Sequence, residues 1–84
     1  MEKGIVHFLH DDNASFLEVA AAKSGDLIVK ILDVQGRMAK TIIEKVEQGV
    51  QELCVNLNDL GSGNYVLNTF IGDTFIKAFR FFKS

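Results

Sequence analysis

The chain has 84 residues, of which 48% are hydrophobic and 24% charged, and it carries a net charge of -2 at pH 7. That length supports one domain around one small core, and the apolar content excludes a disordered or low-complexity chain. The small net charge excludes nucleic-acid or membrane binding by bulk electrostatics, and the lone Cys54 excludes a disulfide scaffold and zinc sites with paired cysteine ligands.

Proline is absent, so glycines punctuate the chain. Gly25, Gly36, Gly49, Gly61, Gly63 and Gly72 divide it into apolar stretches of roughly eight to eleven residues, the rhythm of an all-β sandwich or barrel. Strands are predicted over 4–9, 15–21, 26–33, 37–47, 51–57, 64–71 and 74–82, in a single domain spanning 1–84. No apolar run approaches the roughly 18 residues of a membrane helix, so no membrane insertion is expected. Met1 to His10 lack the basic start and apolar stretch of a secretory signal, so a native start at Met1 implies the cytoplasm.

The first stretch holds His7 and His10, followed by Asp11 and Asp12. In an extended segment the two imidazoles point to opposite faces and cannot share one ion, so no metal site is expected. Asn13-Ala14-Ser15 fits the N-glycosylation pattern, which is too short to carry weight. From Ser15, a capping-box spacing to Glu18 followed by Ala20, Ala21 and Ala22 also permits a helix. The segment is short for a stable helix, and a strand is preferred.

Asp26 to Asp33 places Leu27, Val29 and Ile31 on one face and Ile28, Lys30 and Leu32 on the other, which predicts a central strand with much of both faces covered. In Asp33-Val34-Gln35-Gly36-Arg37, the aspartate suits the first position of a type I turn and Gly36 the left-handed residue of a three-residue hairpin. Asp33 and Arg37 then flank that loop as opposite charges, turn formers rather than binding groups. Met38, Ile42 and Val46 recur at helical spacing, yet Thr41-Ile42-Ile43 is a β-branched run, and a strand is again preferred. Between Gln51 and Leu57, Cys54 falls on the polar face, where a partly exposed, unreactive thiol is expected.

Tyr65 follows Gly63 at a strand start, where its hydroxyl is expected to bond to backbone and lock the loop from Asn58 to Asn64. Gly72-Asp73 reads as a two-residue hairpin loop. That register pairs Phe70 with Phe75, Asn68 with Lys77 and Val66 with Phe79 on an outward face continued by Phe81. Tyr65, Leu67, Thr69, Ile71, Ile76 and Ala78 are left facing the core. The stripe of Phe70, Phe75, Phe79 and Phe81 with Lys77 is the candidate interaction surface; the reverse orientation, with these rings in the core, is its rival. Lys77, Arg80 and Lys83 also interleave with aromatics as on a single-stranded nucleic-acid platform, a third-ranked reading on a chain of this charge.

From Gly25 onward the order of elements resembles the C-terminal sorting domain (type A) of cargo proteins of the type IX (Por) secretion system. That family reads as an apolar strand, Asp-x-x-Gly-Arg, a second apolar strand, a glycine turn, a third strand, Leu-x-x-Gly-x-Tyr, and a final hairpin ending near a lysine. Here the matching positions are Leu27 to Asp33, Gly36-Arg37, Met38 to Val46, Gly49, Leu53 to Leu57, Leu60-Gly61-Ser62-Gly63-Asn64-Tyr65, Gly72-Asp73 and Lys83. The match spans residues 13–84. Each motif alone is common, and the specificity lies in the ordered set. Where the family opens with Asn-Pro or Pro-x-Pro, this chain has His10 to Ser15 without proline.

The resemblance implies an immunoglobulin-like antiparallel β-sandwich of about seven strands. It also implies a non-catalytic role, recognition by the outer-membrane translocation machinery as an export signal. No cofactor, metal or catalytic set is expected. For a domain carried on a cargo protein, the expected location runs from the periplasm to the cell surface or medium. The alternative is a free-standing intracellular assembly module that self-associates, a homo-oligomer, through edge strands or the phenylalanine stripe.

Overall fold

The strands follow the glycine punctuation: β1 (Gly4–His10), β2 (Ser15–Ala21), β3 (Gly25–Asp33), β4 (Met38–Val46), β5 (Gly49–Cys54), β6 (Gly63–Ile71) and β7 (Thr74–Lys83). The computed structural model describes residues 3–11 and 14–84; Asp12 of the histidine–aspartate cluster and Asn13 of the glycosylation triplet lie outside them. Burial alternates in β2, where Ser15, Leu17, Val19 and Ala21 are buried and Glu18 is exposed. Successive side chains of a pleated strand point to opposite faces, so such a row needs a second layer to cover it.

That layer is a second sheet. One sheet has the order β1-β2-β5 and the other β4-β3-β6-β7, with every neighbouring pair antiparallel. The protein is therefore an all-β sandwich. Its fourth strand joins β3, whereas constant-type immunoglobulin domains place the fourth strand in the sheet of the first, second and fifth. The tight Asp33–Arg37 loop fixes this by holding β3 and β4 as a hairpin. The two spans with helical spacing are strands here. β2 is central between β1 and β5, and β4 contributes the fully covered Val46 to the core, a case of tertiary packing overriding local propensity.

Leu17, Val19 and Val6 from one sheet meet Leu27, Val29, Ile31 and Leu67 from the other, all at most 1% exposed. Full burial of each such side chain contributes about 1.5–3 kcal/mol. The strand expected over 51–57 instead begins at Gly49 and leaves the sheet after Cys54. Beyond that point Val55 N–H donates to the Ser15 carbonyl at 2.8 Å. Val55, Leu57 and Leu60 drop into the core as an irregular plug.

β1 and β7 close one side of the sandwich. Lys3 Nζ lies 3.9 Å from Asp73 at one end. At the other, His10 Nε2 donates to the Phe82 carbonyl at 3.3 Å while Ser15 Oγ lies 2.6 Å from His10 Nδ1. The Phe82 carbonyl can only accept, so Nε2 carries the hydrogen, and in the neutral ring Nδ1 accepts from Ser15. His10 thus ties the two sheets together.

Candidate interaction surface

The β6–β7 hairpin turns at Gly72, whose φ of +61° suits a residue without Cβ. Phe70 pairs with Phe75 across it, their ring centroids 5.6 Å apart and edge to face. Beyond this pair the expected register fails. A β-bulge sets Thr69 opposite Lys77, Asn68 opposite Ala78 and Leu67 opposite Phe79. Ile76 is the additional residue, and every later side chain of β7 changes face.

The predicted phenylalanine stripe is therefore broken in two. Phe70 and Phe75 remain outside, whereas Phe81 is 7% exposed and stacks on Tyr65 at 5.5 Å. Phe79 is half-buried against Phe8, 5.9 Å away. Ala78, expected inside, is exposed, and Lys77 reaches back over the Phe79 ring at 5.3 Å. Tyr65, Leu67, Thr69, Ile71 and Ile76 pack on the core side as expected.

The outward face of the four-stranded sheet is apolar along different lines. Across β4, β3, β6 and β7, one row runs Ile43, Ile28, Phe70, Phe75. The next is Thr41, Lys30, Asn68, Ala78, and the third is Met38, Leu32, Val66, Arg80. Ile43 is 63% exposed, Met38 53%, Phe75 53% and Phe82, beyond the third row, 59%. Two apolar rows thus flank a polar one, with Lys30 Nζ 5.1 Å from the Phe70 ring centroid. Of this surface, sequence reasoning placed Phe70, Phe75, Asn68 and Val66 on the outward face of the last hairpin. Period two did assign Ile28, Lys30 and Leu32 to one face of β3, but the phase of β7 past the bulge had no local signal.

The motif residues occupy turns and strand ends. Asp33 Oδ1 accepts from the backbone N–H of Gln35 and of Arg37, each at 2.9 Å, and Oδ2 accepts from Arg37 Nε at 3.1 Å. Gly36 sits at φ +81° within this loop. The Arg37 backbone hydrogen bond foremost, with Gln35 N–H and the guanidinium, holds the Asp33 carboxyl below its usual range despite an opposing desolvation. Tyr65 donates to the Gly61 carbonyl at 2.7 Å, the bond the sequence placed there. Gly49 and Gly63 open β5 and β6, Leu60 is buried, and Lys83 pairs with Gly63 at the end of β7.

A further tie was invisible in the sequence. Lys40 Nζ of β4 donates to the Asn56 carbonyl at 2.6 Å and to both Asp59 carboxylate oxygens at 2.9 and 3.0 Å. That hydrogen bond is the main reason the Asp59 carboxyl is also held low. Cys54 is an exposed free thiol. No group of three or more potential metal ligands occurs among the described residues. No protein-family model matches the chain, and no curated protein shows significant similarity to it.

Proposed function

We propose that the chain is a non-catalytic protein-recognition domain that serves as a C-terminal export signal of the type IX kind, read by outer-membrane translocation machinery. The observation that carries this reading is the coincidence of two orders. The motif series from Leu27 to Lys83 runs in the same sequence as the strands, and its members stand at the points that shape the sandwich surface. Asp33, Gly36 and Arg37 build the β3–β4 loop, and Tyr65 pins the loop that leads into β6. A receptor that reads a folded domain needs loops of fixed shape, and hydrogen-bonded turns meet that need without mobile parts. On this reading the domain acts in the periplasm and at the cell surface, attached to a cargo.

The test is a secreted reporter carrying residues 1–84 at its C-terminus, expressed in a bacterium with a type IX system. Reporter at the surface or in the medium, and lost when the translocon is deleted, supports the proposal. Reporter that accumulates in the periplasm, folded and stable, overturns it.

A further inference from the structure

The rows on the outer face of the four-stranded sheet are self-complementary under a half-turn about an axis that runs along the strands between β3 and β6. Such a turn lays β3 of one copy over β6 of the other, and β4 over β7. Ile28 then meets Phe70, Leu32 meets Val66, and Lys30 meets Asn68, whose amide oxygen accepts from the ammonium. Toward the edges Ile43 meets Phe75, and Met38 meets the aliphatic stem of Arg80. Apolar rows thus cover apolar rows, and the middle row sets a cation on an amide rather than on another cation.

We propose that this face is the interface of a homodimer, closed by a second copy of the chain about that axis. The two inner sheets would pack as sandwich sheets do, about 10 Å apart, with their twist leaving the central β3-on-β6 contacts as the closest match. Four strands about 4.8 Å apart, with side-chain margins, present a face of about 24 by 26 Å, or about 600 Å² per copy. The total of about 1,200 Å² stands at the lower edge of stable interfaces.

The opposite face of the sandwich fails the same operation. Its middle row is His7, Glu18 and Glu52 across β1, β2 and β5. A half-turn along β2 would stack Glu18 on its own copy, and like charges in direct opposition are unfavourable. Pairing is thereby directed to the four-stranded side. The proposal does not depend on the export reading, since it concerns contact between identical chains.

Sedimentation equilibrium of the full chain should show monomer and dimer exchanging, with a midpoint on the order of 10 µM. Ile43→Glu and Phe75→Lys alter exposed side chains and should leave the circular dichroism and melting temperature close to wild type. Each alone should weaken association by roughly tenfold or more. Mixing the Ile43→Glu chain with the Phe75→Lys chain should restore a dimer, because the axis brings position 43 of one copy against position 75 of the other. A chain that stays monomeric at ten times the midpoint concentration overturns the proposal. So does a dimer indifferent to both substitutions, or a mixture that remains monomeric.

Discussion

The hydroxyl of Thr69 donates to the Lys77 carbonyl at 2.7 Å, at the place where β7 carries one residue more than β6. Thr69 is fully buried, so its hydroxyl needs a partner inside the protein, and the displaced backbone of the bulge supplies one. That single bond marks the point where the aromatic residues of β7 change sides.

Thr69→Val, which keeps the shape and removes the donor, should lower stability by about 1–2 kcal/mol in urea titrations with an unchanged m-value. Deleting Ile76 should do far more, since it removes the bulge and turns Phe79 and Phe81 outward. Loss of a cooperative transition is expected, and a deletion variant that melts like wild type would contradict the register.

Phe81 and Phe75 are close in sequence and opposite in consequence. Phe81→Ala empties a core position and should cost about 3–5 kcal/mol. Phe75→Ala, at a half-exposed site, should stay within about 1 kcal/mol. Equal losses, read from denaturant midpoints, would place both rings on one face.

Removing the Tyr65 hydroxyl tests the loop before β6. Tyr65→Phe keeps the stack on Phe81 and loses only the bond to the Gly61 carbonyl. A loss of about 1 kcal/mol is expected. Amide exchange should quicken between Asn58 and Asn64 while the β2 and β3 amides stay protected.

The two depressed carboxyls contribute to the acid behaviour. Asp33 and Asp59 titrate below their ordinary value of 3.8 in the folded chain, so the unfolded state binds more protons in that range and stability rises with pH. Their contribution is complete above the unfolded value, near 4, and disappears as the pH falls through the folded values. Stability followed from pH 6 to pH 2 should therefore decline below about pH 4, modestly for two carboxyls at the surface. The Asp33→Asn, Asp59→Asn double variant should flatten that decline. An unchanged slope would remove these two residues from the account.

Much of this architecture was legible because strands leave a period-two imprint and glycines mark the corners. The spans 15–21 and 74–82 fell within a residue of the observed strands, and the Asp33–Arg37 loop announced both its turn and its hairpin. The misplaced rings have a specific cause: the Gly72-Asp73 turn fixes only the first two pairs, Ile71 with Thr74 and Phe70 with Phe75. A bulge adds one backbone step without any characteristic residue, so Phe79 and Phe81 took the phase of the turn rather than that of the core. Lys40 and Asp59 escaped notice because they meet only once β4 and the irregular plug after β5 are folded against each other. The strand expected to reach Leu57 stops at Cys54 because apolar residues at alternate positions serve a strand and a buried loop equally well.

β1 and β7 run side by side in the same direction, with Lys3 near Asp73 at one end and His10 bonded to Phe82 at the other. The first strand therefore begins, and the last strand finishes, at opposite poles of the molecule. Tension applied through the two ends of the chain pulls these neighbours lengthwise past each other instead of peeling them apart one contact at a time. Because β1 and β7 belong to different sheets, with no hydrogen-bonded ladder between them, that load falls on ties such as Lys3–Asp73 and His10–Phe82, and a single-molecule pulling experiment should show the two sheets sliding before either one unravels.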